Sequence, residues 1–341
     1  MGRRLLQLGF ALLSLACLLG VVLSRAAAPE HLIKVAFLGS NEDEDYFGAL
    51  AFKEHVEAAS GGRIRVEIYP SGAFCGSTEE CIEGLRSGVL EVHMATVGGV
   101  GSLYGPLQVL DLPYVLPNDR VAECVLDSAL LQDFRAAMLE ARLGLRLMTI
   151  GNTGGWRSFA TRRPVAGPED LAGMKIRTTS AAIEQAMVRE LGANPTPVAW
   201  SELYTALATG VVDGAKNSVV DLVSLSLEEH LKYVIRDRHS YLAALWFYSE
   251  DAWARLPPEL RPIVEEGFER LKEVTRALPK ERNAAAEASF LAAGGVITEP
   301  DARTRAAFLA AARPVRDWYV ARYGEAWLQR TQAAVAACGP P

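Results

Sequence analysis

The sequence predicts an α/β protein with two lobes, and three observations support that prediction. Short apolar or alternating stretches such as LIKVAFLG and RIRVEIYP are typical of β-strands. Helical segments with one apolar face separate them, and strands that alternate with helices indicate parallel pairing through crossovers. The chain has 341 residues. That length exceeds what a single hydrophobic core usually holds.

The first half of the chain follows this alternation closely. LIKVAFLG reads as a buried strand, and a helix with Phe47, Phe52 and Val56 on its apolar face follows. RIRVEIYP then alternates like a strand, residues 79–87 predict a helix, VLEVHMATV predicts a strand, and 121–143 predict one long helical stretch. GGVGSLYG lacks the G-x-G-x-x-G spacing of a dinucleotide loop, so we interpret it as a turn at a strand end.

The second half restarts the pattern after GNTGG, a glycine-rich break that suits a crossover between the lobes. A strand at 145–149 precedes the break. Beyond it we predict strands at 156–160, 195–198 and 211–215 and helices at 181–191 and 201–209, followed by HLKYVIRD and HSYLAALWFYS as two strands returning to the first lobe. From Pro257 onward the pattern is helical. The long run 259–293 should be interrupted near Pro279, because proline lacks the amide donor of a helix interior.

The N-terminal segment 1–28 reads as an export signal. Arg3 and Arg4 precede an apolar run over 5–23, and small residues end the segment before Pro29. About 20 apolar residues would also span a bilayer, so a membrane anchor is the alternative. The basic start and the small-residue exit favour cleavage, which predicts a periplasmic protein with no transmembrane segment in its mature form.

Composition argues against two other classes of protein. The formal net charge is −6, acids and bases are interspersed, and no cluster of lysine and arginine is interleaved with aromatic residues. This pattern argues against a nucleic-acid partner. Half of the residues are hydrophobic, which excludes an intrinsically disordered chain.

Four cysteines remain beyond the proposed signal: Cys75, Cys81, Cys124 and Cys338. An even number in an exported protein suggests disulfides, and four cysteines permit three pairings. Cys75 precedes a helix N-cap at Ser77, and Cys81 follows about one turn later, so a bridge between them is sterically possible. Four buried free thiols are the alternative. Cysteine and histidine do not show a metal-binding spacing.

The most informative segment runs over 173–217, from GMKIR to VDGAKN. It brings a cation at Arg177, a large ring at Trp200 and an amide at Asn217 into one short stretch. No acid, thiol or histidine in it is positioned for bond breaking. A guanidinium matches the two oxygens of a carboxylate, so the segment favours holding an anion over transforming it.

A periplasmic hydrolase or lyase is the competing interpretation. Such an enzyme needs a nucleophile with a base or a metal cluster, and the chain has neither G-x-S-x-G nor H-E-x-x-H. The five histidines are scattered, and His93 on an alternating strand is expected to pack in the core. We therefore expect no enzymatic activity, no cofactor and no metal site.

With these residues in view, the sequence resembles the solute-binding proteins of the tripartite ATP-independent periplasmic (TRAP) transporters, of the DctP type. IYPSGAFCGSTEECIEGLRSGVLEV resembles the Y-P-x-x-x-L-G run of that family with its later G-x-x-D, and DLPYVLPN resembles its L-P-[YF] segment. GMKIR through VDGAKN resembles its signature. HLKYVIRDRHSY and WARLPPELRPIVEE also match segments of that family in order and spacing. The likeness covers nearly the whole mature chain.

The resemblance implies roles for four residues of the second lobe. Arg177 corresponds to the arginine that makes a two-pronged bridge to the substrate carboxylate, and Arg157 to a second arginine twenty residues earlier. Asn217 corresponds to the asparagine that donates to the same carboxylate, and Trp200 to the aromatic residue that covers the ligand.

The chain departs from the family pattern in two places. Many members have glutamate before the asparagine, where this chain has Lys216; it either adds a cation for a second anionic group or points into solvent, and we favour solvent. Positions that hold charged groups in sialic-acid-binding members are Ser77, Thr96 and Gly99 here. A polyhydroxylated acid would leave buried hydroxyls unsatisfied, so a smaller organic acid is expected. The other end of that acid should contact Phe37, Leu38, Ser40, Thr96 and Val97.

The resemblance further implies a two-lobed fold like that of periplasmic binding proteins, with a long C-terminal helix bridging the lobes. The predicted lobes are 29–154 with 243–282, and 155–242 with 283–341. Capture of the acid should close the hinge, and the closed protein should dock onto the small and large membrane subunits of an ion-gradient-driven transporter. A binding protein for an ATP-driven importer or a sensor kinase is the alternative.

Overall fold

The computed structural model describes residues 28–339, so all but the last residue of the proposed export signal lies outside the described residues. Within that range the strands form one mixed sheet. The strands are β1 (His31–Ala36), β2 (Ile64–Tyr69), β3 (Val92–Thr96), β4 (Leu145–Thr161), β5 (Lys175–Thr178), β6 (Asn194–Pro197), β7 (Gly214–Asn217), β8 (Tyr233–Ser249) and β9 (Val296–Thr298). Their order is β2-β1-β3-β8-β4-β7-β5-β6, and β9 also pairs with β8.

Each half of this sheet is parallel, as predicted, but antiparallel strands join the halves. β1 pairs in parallel with β2 and β3, and β5 pairs in parallel with β6 and β7. In contrast, β8 runs antiparallel to β3 and β4, and β4 runs antiparallel to β7. A parallel sheet throughout is therefore a wrong prediction, because the two central strands cross between the halves in opposite directions.

β4 and β8 are each 17 residues long. The break predicted from GNTGG is wrong, because this segment lies inside β4, where the register with β8 shifts between Asn152 and Trp156. Gly154 and Gly155 have φ values of 97° and 102° there. Only glycine adopts such values readily, so the segment bulges while the strand continues. The two strands predicted over HLKYVIRD and HSYLAALWFYS likewise form one strand, β8, which begins at Tyr233.

Helices cover both faces of the sheet. They are α1 (Glu44–Ala59), α2 (Thr78–Arg86), α3 (Val97–Val100), α4 (Asp119–Leu126), α5 (Ala129–Glu140), α6 (Ala182–Glu190), α7 (Leu203–Ala208), α8 (Val219–Ser224), α9 (Glu250–Arg255), α10 (Arg261–Ala292), α11 (Ala302–Ala312), α12 (Pro314–Tyr323) and α13 (Ala326–Ala337). Short 3₁₀ turns occupy Gly105–Asp111, Pro168–Leu171, Trp200–Glu202 and Leu227–Glu229. The stretch 121–143 is thus two helices, because Ser128 caps a new helix start with its side chain.

The long helix α10 extends over 32 residues, and Pro279 lies inside it without ending it. The predicted interruption is wrong because tertiary packing offsets the lost hydrogen bond. α10 contacts α1 in the first half, the crossing strand β4 and α8 in the second half. Phe268 of α10 packs on Phe52 of α1 with ring centroids 4.7 Å apart. The helix therefore bridges the two halves, as expected.

All four cysteines beyond the proposed signal are paired. Cys75 bonds to Cys81, and Cys124 of α4 bonds to Cys338 after α13. The alternative of four free thiols is therefore wrong. His93 is fully buried, as expected, and its Nδ1 lies 2.9 Å from the backbone oxygen of Ala36.

No helix within residues 28–339 combines the length and apolarity that a membrane crossing requires. The lobe boundaries stay a prediction. The proposed division assigns 283–341 to the second lobe, yet α13 packs on α4 and α5 of the first.

Candidate functional site

A cavity of about 280 Å³ lies where the two halves of the sheet meet. Residues that follow β1 and β3 form one side of its wall, and residues on and after β5 and β7 form the other. The predicted binding residues that line it are Leu38, Ser77, Thr96, Arg157, Arg177, Trp200 and Asn217.

Three residues predicted near the ligand are not among those lining this cavity. The Ser40 hydroxyl accepts from the amide of Glu42, and Val97 is 1% exposed within the hydrophobic core. Phe37 is also in the core and meets Trp246 edge-on. Sequence proximity to the cavity was a poor guide here, because neighbouring side chains at a strand end face opposite ways.

Arg177 is held rigidly at the cavity wall. It lies on β5, which pairs with β6 and β7, and its Nε donates to the backbone oxygen of Val198 at 2.9 Å. The Trp200 ring centroid is 5.8 Å from the guanidinium carbon. Burial lowers the pKa of Arg177 to about 10, so the side chain stays charged at neutral pH. Within residues 28–339, no carboxylate lies close enough to form an ion pair with it.

Arg157, in contrast, already has anionic partners. Its Nη1 donates to Asp111 at 2.8 Å, and its Nη2 lies 3.6 Å from Glu184. Burial alone would lower the pKa of Arg157, but Asp111 and Glu184 more than offset this and raise it. A ligand carboxylate at Arg157 would therefore share the guanidinium with two carboxylates of the protein.

Lys216 contradicts our prediction that it points into solvent. It lies on β7, an interior strand whose residues are all buried, and its Nζ is 2.9 Å from Glu184. Burial raises the pKa of Glu184, but Lys216 and Arg157 together hold it well below its usual range. The sequence did not reveal this pair because Glu184 comes from α6, 32 residues away.

The four paired charges buried beside Arg177 cancel one another. Arg157 and Lys216 supply two positive charges, and Asp111 and Glu184 supply two negative charges. Among Arg157, Lys216 and Arg177, Arg177 alone has no carboxylate within ion-pairing distance in residues 28–339. The wall of the cavity therefore presents one uncompensated guanidinium.

A second part of the wall is acidic. Asp43 and Asp45 lie at the start of α1, and Asp221 lies in the first turn of α8; we call these three residues the acidic wall. Asp45 Oδ2 accepts from the Thr153 hydroxyl at 2.8 Å, while Asp45 Oδ1 is buried with no partner among the described residues. Carboxylates stabilise helix N-termini, which explains their position in the sequence but not their convergence.

The environment makes these acids hold protons more tightly than usual. Burial raises the pKa of Asp221 to about 6 and that of Asp43 above its ordinary value. Burial and then Glu44 raise the pKa of Asp45 further. Glu44 stands beside the wall, and burial together with Asp221 raises its pKa to about 8.

Asn217 connects the cationic and acidic parts of the wall. Its Nδ2 donates to Asp221 Oδ2 at 3.1 Å, and its buried Oδ1 has no partner among the described residues. The predicted donation from Asn217 to a ligand carboxylate must use its second N–H. Asp43, Asp45 and Asp221 were not predicted from the sequence, because acids at helix starts are common as caps.

The fold and the site define a class: an α/β binding protein with a buried cation in a cleft. The family described as bacterial extracellular solute-binding protein, family 7 (DctP), matches residues 37–322. The chain therefore belongs to the DctP family of solute-binding proteins, which confirms the resemblance to TRAP solute-binding proteins of the DctP type.

Known relatives agree with this assignment. A solute-binding protein of Chromohalobacter salexigens is 30% identical, with 81% of this chain and 80% of that protein covered. The C4-dicarboxylate-binding periplasmic protein DctP of Rhodobacter capsulatus is 28% identical, with coverage of 94% and 96%. A crystal structure of a TRAP periplasmic solute-binding protein from Bordetella bronchispeptica, with density assigned to pantoate, is 29% identical with a TM-score of 0.83 and coverage of 89% and 99%.

Replacing Lys216 should expose the energetic importance of the buried pair. Lys216→Met leaves Glu184 with one cation fewer, and removing one partner of a buried pair costs about 3 to 5 kcal/mol. Urea unfolding should report this loss. Adding Glu184→Gln to the same variant should recover part of it. Lys175→Met, at an exposed position on β5, is the control. An equal loss of unfolding free energy in Lys216→Met and Lys175→Met would contradict the prediction.

The acids beside the cavity should make the protein less stable as pH rises. Because the pKa values of Glu44 and Asp221 are raised in the folded state, the folded protein binds more protons than the unfolded chain. Their contribution to the free energy of unfolding is therefore fully present below about pH 4 and is lost as pH rises through 6 to 8. Glu44→Gln should flatten the decline in unfolding free energy between pH 5 and 8 by about 1 to 3 kcal/mol. Glu54→Gln, on the exposed side of α1, should keep the wild-type slope; a wild-type slope in Glu44→Gln would disprove the assignment.

Proposed function

We propose that the protein is the extracytoplasmic solute-binding subunit of a TRAP transporter and captures a small organic acid. An export signal in 1–28 would deliver it to the periplasm, where the closed protein would dock onto ion-gradient-driven membrane subunits. The sequence resemblance supports this transport role, and family membership makes it a substrate-binding protein.

The single observation that carries the proposal is the uncompensated guanidinium of Arg177. A buried charge without a counterion is costly, and a carboxylate that enters the cavity would supply one. Arg177 Nη1 and Nη2 form the fork that matches two carboxylate oxygens. Trp200 would cover the bound acid, and the second N–H of Asn217 would reach it.

The size of the cavity favours a small ligand. About 280 Å³ lies just below the usual range of sites for drug-sized molecules. One relative is described as binding C4-dicarboxylates and another structure has density assigned to pantoate, and both ligands are small organic acids. Arg157 would then act mainly by orienting the site, since Asp111 and Glu184 already neutralise it.

Contact between the halves supports hinge closure. Gly98, at the start of α3 in the first half, faces Glu184 and Thr179 of the second half. A Cβ on Gly98 would lie 2.5 Å from Glu184 Oε1 and 2.6 Å from Thr179 Oγ1. The glycine therefore lets the first half approach the charge cluster and exclude water from it, which strengthens the ion pair with a ligand.

Arg177→Ala should abolish ligand binding. A screen of monocarboxylates, dicarboxylates, sugar acids and aromatic acids by thermal shift should find a ligand, which stabilises by about 2.7 kcal/mol at 100 times its dissociation constant. The variant should show no shift with the best acid, while the exposed Arg162→Ala should respond like wild type. A wild-type response of Arg177→Ala would refute the site. Conversion of the acid during incubation would favour an enzyme.

Gly98→Ala should weaken binding without unfolding the protein. Glu184 is fixed by Lys216 and by the amide of Thr179, so the added methyl group would be relieved by holding the halves apart. Overpacking costs about 1 to 3 kcal/mol, which corresponds to a loss of about five- to hundredfold in affinity. Calorimetric titration with the best acid checks this. Gly84→Ala, packed within the first half, is the control, and equal affinities in both variants would count against closure at this contact.

A further inference from the structure

Within residues 28–339, no lysine, arginine or histidine forms an ion pair with the three carboxyl groups of the acidic wall. Lys216 is committed to Glu184, and Arg157 is committed to Asp111 and Glu184. Arg282 is close enough to Asp43 to attract it. Its own Nη1, however, donates to the backbone oxygen of Glu42, and its guanidinium lies over the Phe47 ring at 4.8 Å. The wall thus brings three carboxyl groups without an ion-pair partner to the cavity.

Helix capping explains only some of the acceptor atoms. Asp221 Oδ2 accepts from Asn217 and from the amide of Ser218, as a capping residue should. Two other acceptor oxygens do not cap a helix. Asp45 Oδ1 and Asn217 Oδ1 are buried without a hydrogen-bond partner among the described residues, and both residues line the cavity. Asp45 is 1% exposed and Asn217 is 4% exposed.

Unpartnered buried acceptors are uncommon and costly, and here they converge from separate elements. Asp45 belongs to α1 and Asn217 to β7, so no local turn accounts for both. Leaving each one unpaired is unfavourable, because the buried oxygen has lost its hydrogen bonds to water. A ligand that donates hydrogen bonds to both would remove that cost on binding.

We propose that the ligand is an organic acid that also carries a protonated amino group, with its carboxylate at Arg177 and its ammonium at Asp45, Asn217 Oδ1 and Asp221. This inference rests on the proposed function and narrows its ligand class. The cationic and acidic parts of the wall share one cavity of about 280 Å³, so one small molecule can reach both.

An ammonium group fits these acceptors better than a hydroxyl group. It carries three N–H donors and no acceptor, which matches two unpartnered oxygens and the neighbouring carboxylate of Asp221. A single hydroxyl donates one hydrogen bond, so it would leave one of the two buried oxygens unpaired. The ammonium also neutralises the wall, and charge-assisted bonds to carboxylates are roughly twice as strong as neutral ones.

Proton release gives an independent readout of this arrangement. In the absence of a cation, burial raises the pKa of Asp45 and Asp221, and Glu44 and Asp43 raise the pKa of Asp45 further. An ammonium beside them favours their charged forms, so its binding should expel protons into the buffer. A parent acid without the amino group should release fewer.

The test is calorimetric titration of the full mature protein with matched acids: butyrate against 2-, 3- and 4-aminobutyrate, and succinate against aspartate. At least one amino acid should bind about ten- to hundredfold tighter than its parent acid, with proton release measured in two buffers of different ionisation enthalpy. Parent acids that bind as tightly as every amino analogue would overturn the inference. Tighter binding of the parent acids in sodium than in choline buffer would also overturn it, because a free inorganic cation would then occupy the wall.

Asp45→Asn separates the acidic wall from the rest of the site. It keeps the side-chain size, so the preference for the amino acid should fall about tenfold or more while the affinity for the parent acid is kept or improved. Glu54→Gln, an exposed residue of α1 that does not line the cavity, is the matched control and should change neither. If Asp45→Asn does not fold, Asp221→Asn is used with the same expectation. An unchanged preference in the folded variant would exclude the wall as the ammonium site.

The outcomes for the two proposals are distinct. If no acid of either kind binds, the proposed solute-binding function fails together with this inference. If parent acids bind in an Arg177-dependent way and the amino analogues gain nothing, only the ammonium assignment fails.

Discussion

The site depends on one electrostatic arrangement, in which a guanidinium is buried beside a cluster of charges that cancels itself. Asp111 and Glu184 neutralise Arg157 and Lys216, so the positive charge of Arg177 is not consumed by the protein. In water the solvent would screen such a charge, and its attraction for an anion would be weak. Here it is 6% exposed, fixed by a backbone carbonyl and flanked by an aromatic ring. The protein is therefore preorganised for an anion before any ligand arrives.

The central strands connect the two halves on either side of the proposed site. β4 and β8 pass through both halves as continuous antiparallel partners, and α10 packs along them from α1 to α8. The irregularity at Gly154 and Gly155 lies where β4 passes between the halves. Strained or glycine-rich positions of this kind are where φ and ψ can change with little cost. The acidic wall is next to this point, since Thr153 binds Asp45 and a Cβ on Gly154 would meet Asp221.

The sequence was sufficient for the fold class and for the strand that carries Arg177, because both follow from local patterns, whereas the bridging helix was implied by the family resemblance. KIR on an apolar strand predicts a strand arginine, and amphipathic periodicity predicts helices. The wrong predictions concerned residues whose structure depends on contacts with residues distant in the sequence. Pro279 stays helical because α1, β4 and α8 support the helix around it, and Lys216 is buried because Glu184 comes from another element to meet it. Neither partner can be inferred from the residues next to it. The acids of α1 and α8 were hidden for another reason, since each is adequately explained as a helix cap until the two helices are seen together.

The departure at Lys216 then has a physical meaning. The sequence resemblance implies glutamate at this position in many members, whereas this chain has Lys216 there and its buried acid, Glu184, comes from α6. With Glu184 in place, a second glutamate would leave the cluster with surplus negative charge next to Arg177, and that surplus would compete with the ligand carboxylate. Lys216 removes it: the lysine binds Glu184 Oε2 while Arg157 approaches Oε1. Lysine at 216 and glutamate at 184 are therefore best understood as one unit. If Arg177 binds the ligand carboxylate as proposed, this unit keeps Arg177 available, and neither residue needs to contact the ligand to affect the affinity for it.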